Sequence, residues 1–187
     1  MDFTLTDDDK RTLLRAARDS IASSFKGSQV KAPEPASPDI SKNLATPCGA
    51  FVTLTKHGDL RGCIGYVEAE YPLYETVVQA AKAAAFQDSR FAPVTMSELE
   101  EVEIEISALT PPHTVASYCN IEIGRHGIIM SKHGRRALFL PQVASERGWD
   151  IATTLTHLAM KAGISPDGWR EGAQFEVFEA LVFGEES

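Results

Sequence analysis

Val102, Ile104, Ile106 and Ala108 alternate with Glu103, Glu105 and Ser107. Successive side chains on a strand point to opposite faces, so this stretch has one apolar face and one face bearing carboxylates. A strand covered on one side only belongs to an antiparallel sheet, because parallel sheets are packed by helices on both faces. Strands and helices mix around this run without βαβ regularity. The expected class is α+β, a mostly antiparallel sheet flanked by helices.

Cap signals place the helices. Thr6 caps the first, Asp7, Asp8 and Asp9 sit at its dipole-positive end, and Arg15 and Arg18 follow. Helix-start electrostatics explains the Asp run better than a metal site does. Leu14, Ala17, Ile21 and Phe25 recur at helical spacing and predict the buried stripe. Pro72 opens a second helix with Val77, Val78, Ala81, Ala84 and Ala85 on its apolar face. So many alanines call for close approach of another element. Thr95 and Glu98 read as a capping box on a short helix. Asp150 caps a late helix that runs to Lys161 and is closed by Gly163; Trp149 and Trp169 read as its anchors.

Two hairpins are expected. Phe51 to Thr55 turns at His57-Gly58-Asp59 into Leu60 to Tyr66, and Gly127 to Ser131 turns around Lys132-His133-Gly134 into Arg136 to Leu140. Lys56-His57-Gly58 matches the second tip, which reflects shared turn chemistry and not an internal repeat. The chain ends in a strand with Phe175, Val177, Leu181 and Phe183 on one side. Residues 26–47 contain Pro33, Pro35, Pro38 and Pro47 and predict a long loop. Its position just before the first hairpin makes it a candidate lid, with a passive connector as the competing reading.

The 187 residues suit one domain over 1–187. Lys and Arg number 18 against 26 Asp and Glu, a net charge of -8. That balance argues against a nucleic-acid adaptor, which needs a basic face. Arg125, Lys132, Arg135 and Arg136 form the one notable basic cluster, and a solvated hairpin accounts for it. No apolar run approaches the ~20 residues that cross a bilayer. Three cysteines without close pairing, and an acidic start, indicate a reducing, cytoplasmic setting. No paired-ligand spacing marks a metal site, and no glycine pattern marks a phosphate or dinucleotide loop. The cofactor stays unassigned.

Leu60-Arg61-Gly62-Cys63-Ile64-Gly65 is the most informative motif. Simple alternation sends Leu60 and Ile64 to the core and puts Arg61 and Cys63 together on the opposite face. A guanidinium beside a thiol favours the thiolate, the form that acts as nucleophile. Gly62 and Gly65 leave room for a ligand or for another backbone. The competing reading is a buried packing cysteine, a common role for a lone thiol.

This hexapeptide is joined by Phe51-Val52-Thr53-Leu54, Asp88-Ser89-Arg90-Phe91, the alternating strand at 102–107, Leu138-Phe139-Leu140-Pro141-Gln142-Val143-Ala144 and Lys161-Ala162-Gly163. Together these stretches resemble the AMMECR domain family, named from the chromosomal region of Alport syndrome, midface hypoplasia and elliptocytosis. The resemblance implies an α+β fold of two lobes with the hexapeptide near a groove between them. It hands over no reaction. It also implies an association with a Memo-like partner and a radical SAM enzyme in a modification pathway. Ser89 stands where the family usually has proline, and Ala159 where many members have cysteine, so a mechanism needing a second thiol there is in doubt.

The leading expectation is an enzyme of unassigned reaction. Cys63 would be its nucleophile, Arg61 its cationic activator or an anion binder, and a small or acidic substrate would be held by Arg90, Asp88, Gly62 and Gly65. Arg90 can clamp a carboxylate or phosphate, or it can form a structural ion pair with Asp88. Among the histidines, His57 and His133 are turn residues and His157 a partly buried helix residue. His126, between Gly124 and Gly127, is the candidate base. A non-catalytic binding or scaffold module is the alternative.

Overall fold

The computed structural model describes residues 3–26, 28–29 and 40–185. The described chain runs α1 (Asp7–Ala22), α2 (Lys42–Ala45), β1 (Ala50–Lys56), β2 (Asp59–Tyr66), α3 (Leu73–Phe86), β3 (Val102–Leu109), β4 (His113–Val115), β5 (Gly127–Lys132), β6 (Arg135–Phe139), α4 (Pro141–Glu146), α5 (Ile151–Lys161), β7 (Gln174–Phe178) and β8 (Ala180–Gly184). The class is α+β. Two compact units form, Met1–Pro111 with Leu181–Ser187 and Pro112–Ala180.

The first unit holds a sheet of order β2-β1-β3-β8, antiparallel at β2/β1 and at β1/β3. The alternation in β3 is as predicted, with Val102, Ile104 and Ile106 buried and Glu103 and Glu105 exposed. Helices α1 and α3 cover the buried face. Thr6 and Asp9 form a reciprocal capping box on α1. The α1 stripe is centred on Leu13, Ala17 and Ile21, all fully buried; Leu14 and Phe25 pack at its margin, one position off the expected centre. Burying an aliphatic side chain such as Leu13 contributes about 1.5–3 kcal/mol.

The second unit holds a sheet of order β4-β7-β5-β6, antiparallel at all three pairings. Its core gathers Met130, Leu155, Leu158, Trp169 and Val177. Asp150 caps α5 through Thr153 N–H. Gly163 closes the helix, with Gly163 and Ile164 donating to the Met160 and Ala159 carbonyls.

Three expectations are corrected. The final strand is two strands, since β7 joins the second sheet and β8 the first, and the break at Glu179 changes their partners. Thr95 and Glu98 do pair, but only a turn follows, and Glu98 also accepts from Arg61. Within 26–47, Lys42–Ala45 forms a helical turn capped by Ser41. The rest of the candidate lid at 27 and 30–39 lies outside the described residues.

Candidate functional site

The first hairpin positions the hexapeptide. His57 and Gly58 both have positive φ, 54° and 85°, as a two-residue turn that matches strand twist requires. From such a turn an unbroken ladder would set Thr53 opposite Gly62. Instead the register shifts between Leu54 and Thr55, so that Leu54 faces Gly62, Thr55 faces Leu60, and Arg61 is the extra residue of a bulge. Thr53 therefore opposes Cys63.

The bulge overturns the simple alternation. Leu60, opposite Thr55, lies on the Cys63 face and is 44% exposed, so it does not join Ile64 toward the core. Arg61 turns to Glu98, with Nε and Nη2 each 3.2 Å from the carboxylate. That guanidinium pulls Glu98 down to about 2, helped by the Thr95 N–H. Arg61 is thus committed to a structural ion pair.

The cation brought to Cys63 is Arg90. Both main-chain groups of Cys63 point away from β1. Its N–H donates to Asp88 Oδ2 at 2.9 Å, and its carbonyl accepts from Arg90 Nη2 at 3.3 Å. Arg90 Nε and Nη2 also hold the two Asp88 oxygens, at 2.9 and 2.7 Å. Since β2 is the sheet's edge, this pair substitutes for a missing neighbouring strand at Cys63. The guanidinium holds the Asp88 carboxyl well below the usual carboxylate range, with the Cys63 N–H adding to the effect. Arg90 is raised in turn, chiefly by its hydrogen bonds to Asp88. Among the described residues Arg90 Nη1 makes no hydrogen bond, and the side chain is 55% exposed.

The outward turn of those main-chain groups makes Thr53 and Cys63 a non-hydrogen-bonded pair, the kind whose side chains approach closest. The Thr53 hydroxyl donates to Sγ at 3.4 Å. Thr53 was not legible as a site residue, because only the bulge sets it opposite the thiol.

The glycines serve packing. A methyl on Gly62 would strike the Ala84 carbonyl oxygen of α3, and one on Gly65 would strike the Phe51 ring and the Ala50 carbonyl oxygen. Of the two uses left open for Gly62, close approach of another backbone is the one seen. His126 lies in the second unit, buried, with Nδ1 accepting from Glu122 N–H at 3.0 Å. It closes a turn there. Ala159 is fully buried in that unit's core. Cys48 is buried, its thiol pushed up to about 12 by desolvation, whereas Cys119 is exposed. Among the described residues no cluster of three or more His, Cys, Asp or Glu could hold a metal ion, and no helix is long and apolar enough to cross a membrane.

Comparison with known proteins agrees with this architecture. A protein of Methanopyrus kandleri is 44% identical over 193 residues, covering 97% of this chain and 91% of its own. One from Methanothermobacter thermautotrophicus is 40% identical over 190 residues and covers 97% of both chains. The crystal structure of an uncharacterized Pyrococcus horikoshii protein is similar at a TM-score of 0.76 and 36% identity, covering 97% of this chain and 94% of that one. The AMMECR1 family model matches residues 14–183 and runs across both units. The chain belongs to the AMMECR1 family.

Proposed function

We propose that the protein is an enzyme in which Cys63 supplies a nucleophilic thiol and Arg90 binds an anionic group of a small substrate. The observation that carries the reading is the set of contacts around Cys63. Its main chain is clamped by Asp88 and Arg90, its sulfur accepts from Thr53, and Arg90 keeps an unused edge beside it. Clamping the backbone fixes where the sulfur sits, and positioning of a reacting atom is a large part of enzymatic rate. Asp88 neutralises Arg90, so attraction for an anion acts at hydrogen-bonding range through Nη1 rather than at a distance. In the chemical step sulfur forms a bond to an electrophilic carbon, the leaving group departs with its electron pair, and the thiol proton passes to water. Arg61 stands outside this step, as the partner of Glu98. A Memo-like and a radical SAM protein remain partners by family resemblance alone.

A binding module is the second reading, favoured by the packing of Gly62 on Ala84. In that case Cys63→Ser leaves partner binding intact. Two alkylating reagents test the enzymatic reading, with Cys119 as the exposed reference thiol in the same molecule. Anionic iodoacetate and neutral iodoacetamide are compared at each cysteine by peptide mass spectrometry. The expected result is a higher iodoacetate-to-iodoacetamide ratio at Cys63 than at Cys119, lost in Arg90→Ala and kept in Arg61→Ala. Equal ratios in the native protein, or a Cys63 inert to both reagents, would remove the site.

A further inference from the structure

A cavity of about 380 Å³ opens where β2 ends, walled by the 65–71 stretch and by Thr76 and Gln79 of α3. Among the described residues its lining carries the carboxylates of Glu68 and Glu70 and no Lys, Arg or His. Two other cavities are mixed: one beside Trp169 sets Arg170 with Glu176, and one beside α1 sets Asp7 with Lys10 and Arg11. The N-terminus of α3 contributes roughly half a positive charge at this end. The full charge of the Glu70 carboxylate outweighs it. Tyr66 and Tyr71 add aromatic surface, and they stay 41% and 48% exposed where large side chains usually find cover. Tyrosine faces attract organic cations within about 6 Å of the ring.

The main chain at the cavity wall narrows the ligand further. Cys63 and Gly65 are both two-apart positions of an unbroken ladder, opposite Thr53 and Phe51. If the Cys63 N–H and C=O turn away from β1, those of Gly65 do so too. Cys63 is clamped by Asp88 and Arg90; Gly65 has no such clamp among the described residues. Gly65 is thus an open edge position and a part of the cavity wall at once. Open edge groups accept an added strand, and the flanking pocket then selects a side chain.

We propose that this cavity receives a lysine or arginine side chain of an extended polypeptide that pairs with the open edge of β2 at Gly65. Glu70 and the tyrosines select the charge, the edge selects a peptide over a free amine, and the clamp at Cys63 ends the open run.

The test is titration of ¹⁵N-labelled protein with the blocked peptide acetyl-Thr-Val-Lys-Val-Thr-amide, followed by amide chemical shifts. The Gly65, Tyr66 and Gln79 signals should move. Affinity should fall about three- to fivefold in Glu70→Gln and in Tyr71→Ala, the size of one exposed ion pair or cation–π contact. The same peptide with Glu for Lys should bind more weakly, as should butylammonium. Cys63→Ser should bind like the native protein, which separates this result from the thiol reading. Unmoved signals, equal binding of the Glu peptide, or butylammonium binding as tightly as the peptide would each overturn the proposal.

Discussion

The two hairpins begin alike and end differently. Both turn on Lys-His-Gly with positive φ at His and Gly, 54° and 85° in the first, 50° and 74° in the second. Past the turn the second ladder is unbroken, whereas the first is shifted by the bulge at Arg61. Aligned by pairing, Gly62 opposite Leu54 corresponds to Ala137 opposite Met130, and Cys63 opposite Thr53 corresponds to Leu138 opposite Ile129. Both β2 and β6 are edge strands. Among the described residues only the carbonyl of Leu138 is covered, by Lys161 Nζ at 2.9 Å. At Cys63 an Asp–Arg pair covers both main-chain groups. One hairpin manages an edge with a single lysine, and the other immobilises the residue that bears the thiol.

The largest break in the comparison is steric. Gly62→Ala sets a methyl against the Ala84 carbonyl oxygen and should cost about 1–3 kcal/mol, the usual penalty for overpacking, read by urea denaturation. Ala137→Gly at the matching position should cost roughly 1 kcal/mol, as one buried methyl does. Next is Asp88→Asn, which weakens the hold on Arg90. It should lower the thermal midpoint and expose the Cys63 N–H to exchange, with little effect on the second unit's amides.

Acid should act on the first hairpin. Glu98 and Asp88 both titrate below their ordinary values in the folded state. Their contribution to stability is therefore complete above the unfolded value, near 4.5 for Glu98, and is lost as pH falls toward about 2. Glu98→Gln should flatten that acid limb in pH-dependent melts. The smallest effect belongs to Lys161→Ala, which uncovers one exposed carbonyl and should cost under about 1 kcal/mol.

Much of the scaffold was legible. Caps at Thr6 and Asp150, the strict alternation of β3 and both hairpin tips are local signals, and these ones pass into the fold unchanged. The site was legible only in part. Cys63, Asp88 and Arg90 could be named, but the partner of Cys63 could not, because one extra residue at Arg61 reverses which neighbours share its face. Arg61 looked like the activator by period-two counting, and the bulge delivers it to Glu98 instead. The division at Glu179 was hidden for a similar reason. Phe175 and Val177 continue in phase with Leu181 and Phe183, and only pairing assigns them to different sheets.

The clamp on Cys63 is tested most directly by amide hydrogen exchange. Cys63, Leu138 and Gly65 are all edge positions, so without a clamp all three amides exchange quickly. The expected result is a protected Cys63 N–H beside fast exchange at Leu138 and Gly65, with the protection lost in Asp88→Asn. A Cys63 amide that exchanges as fast as Gly65 in the native protein would contradict the account.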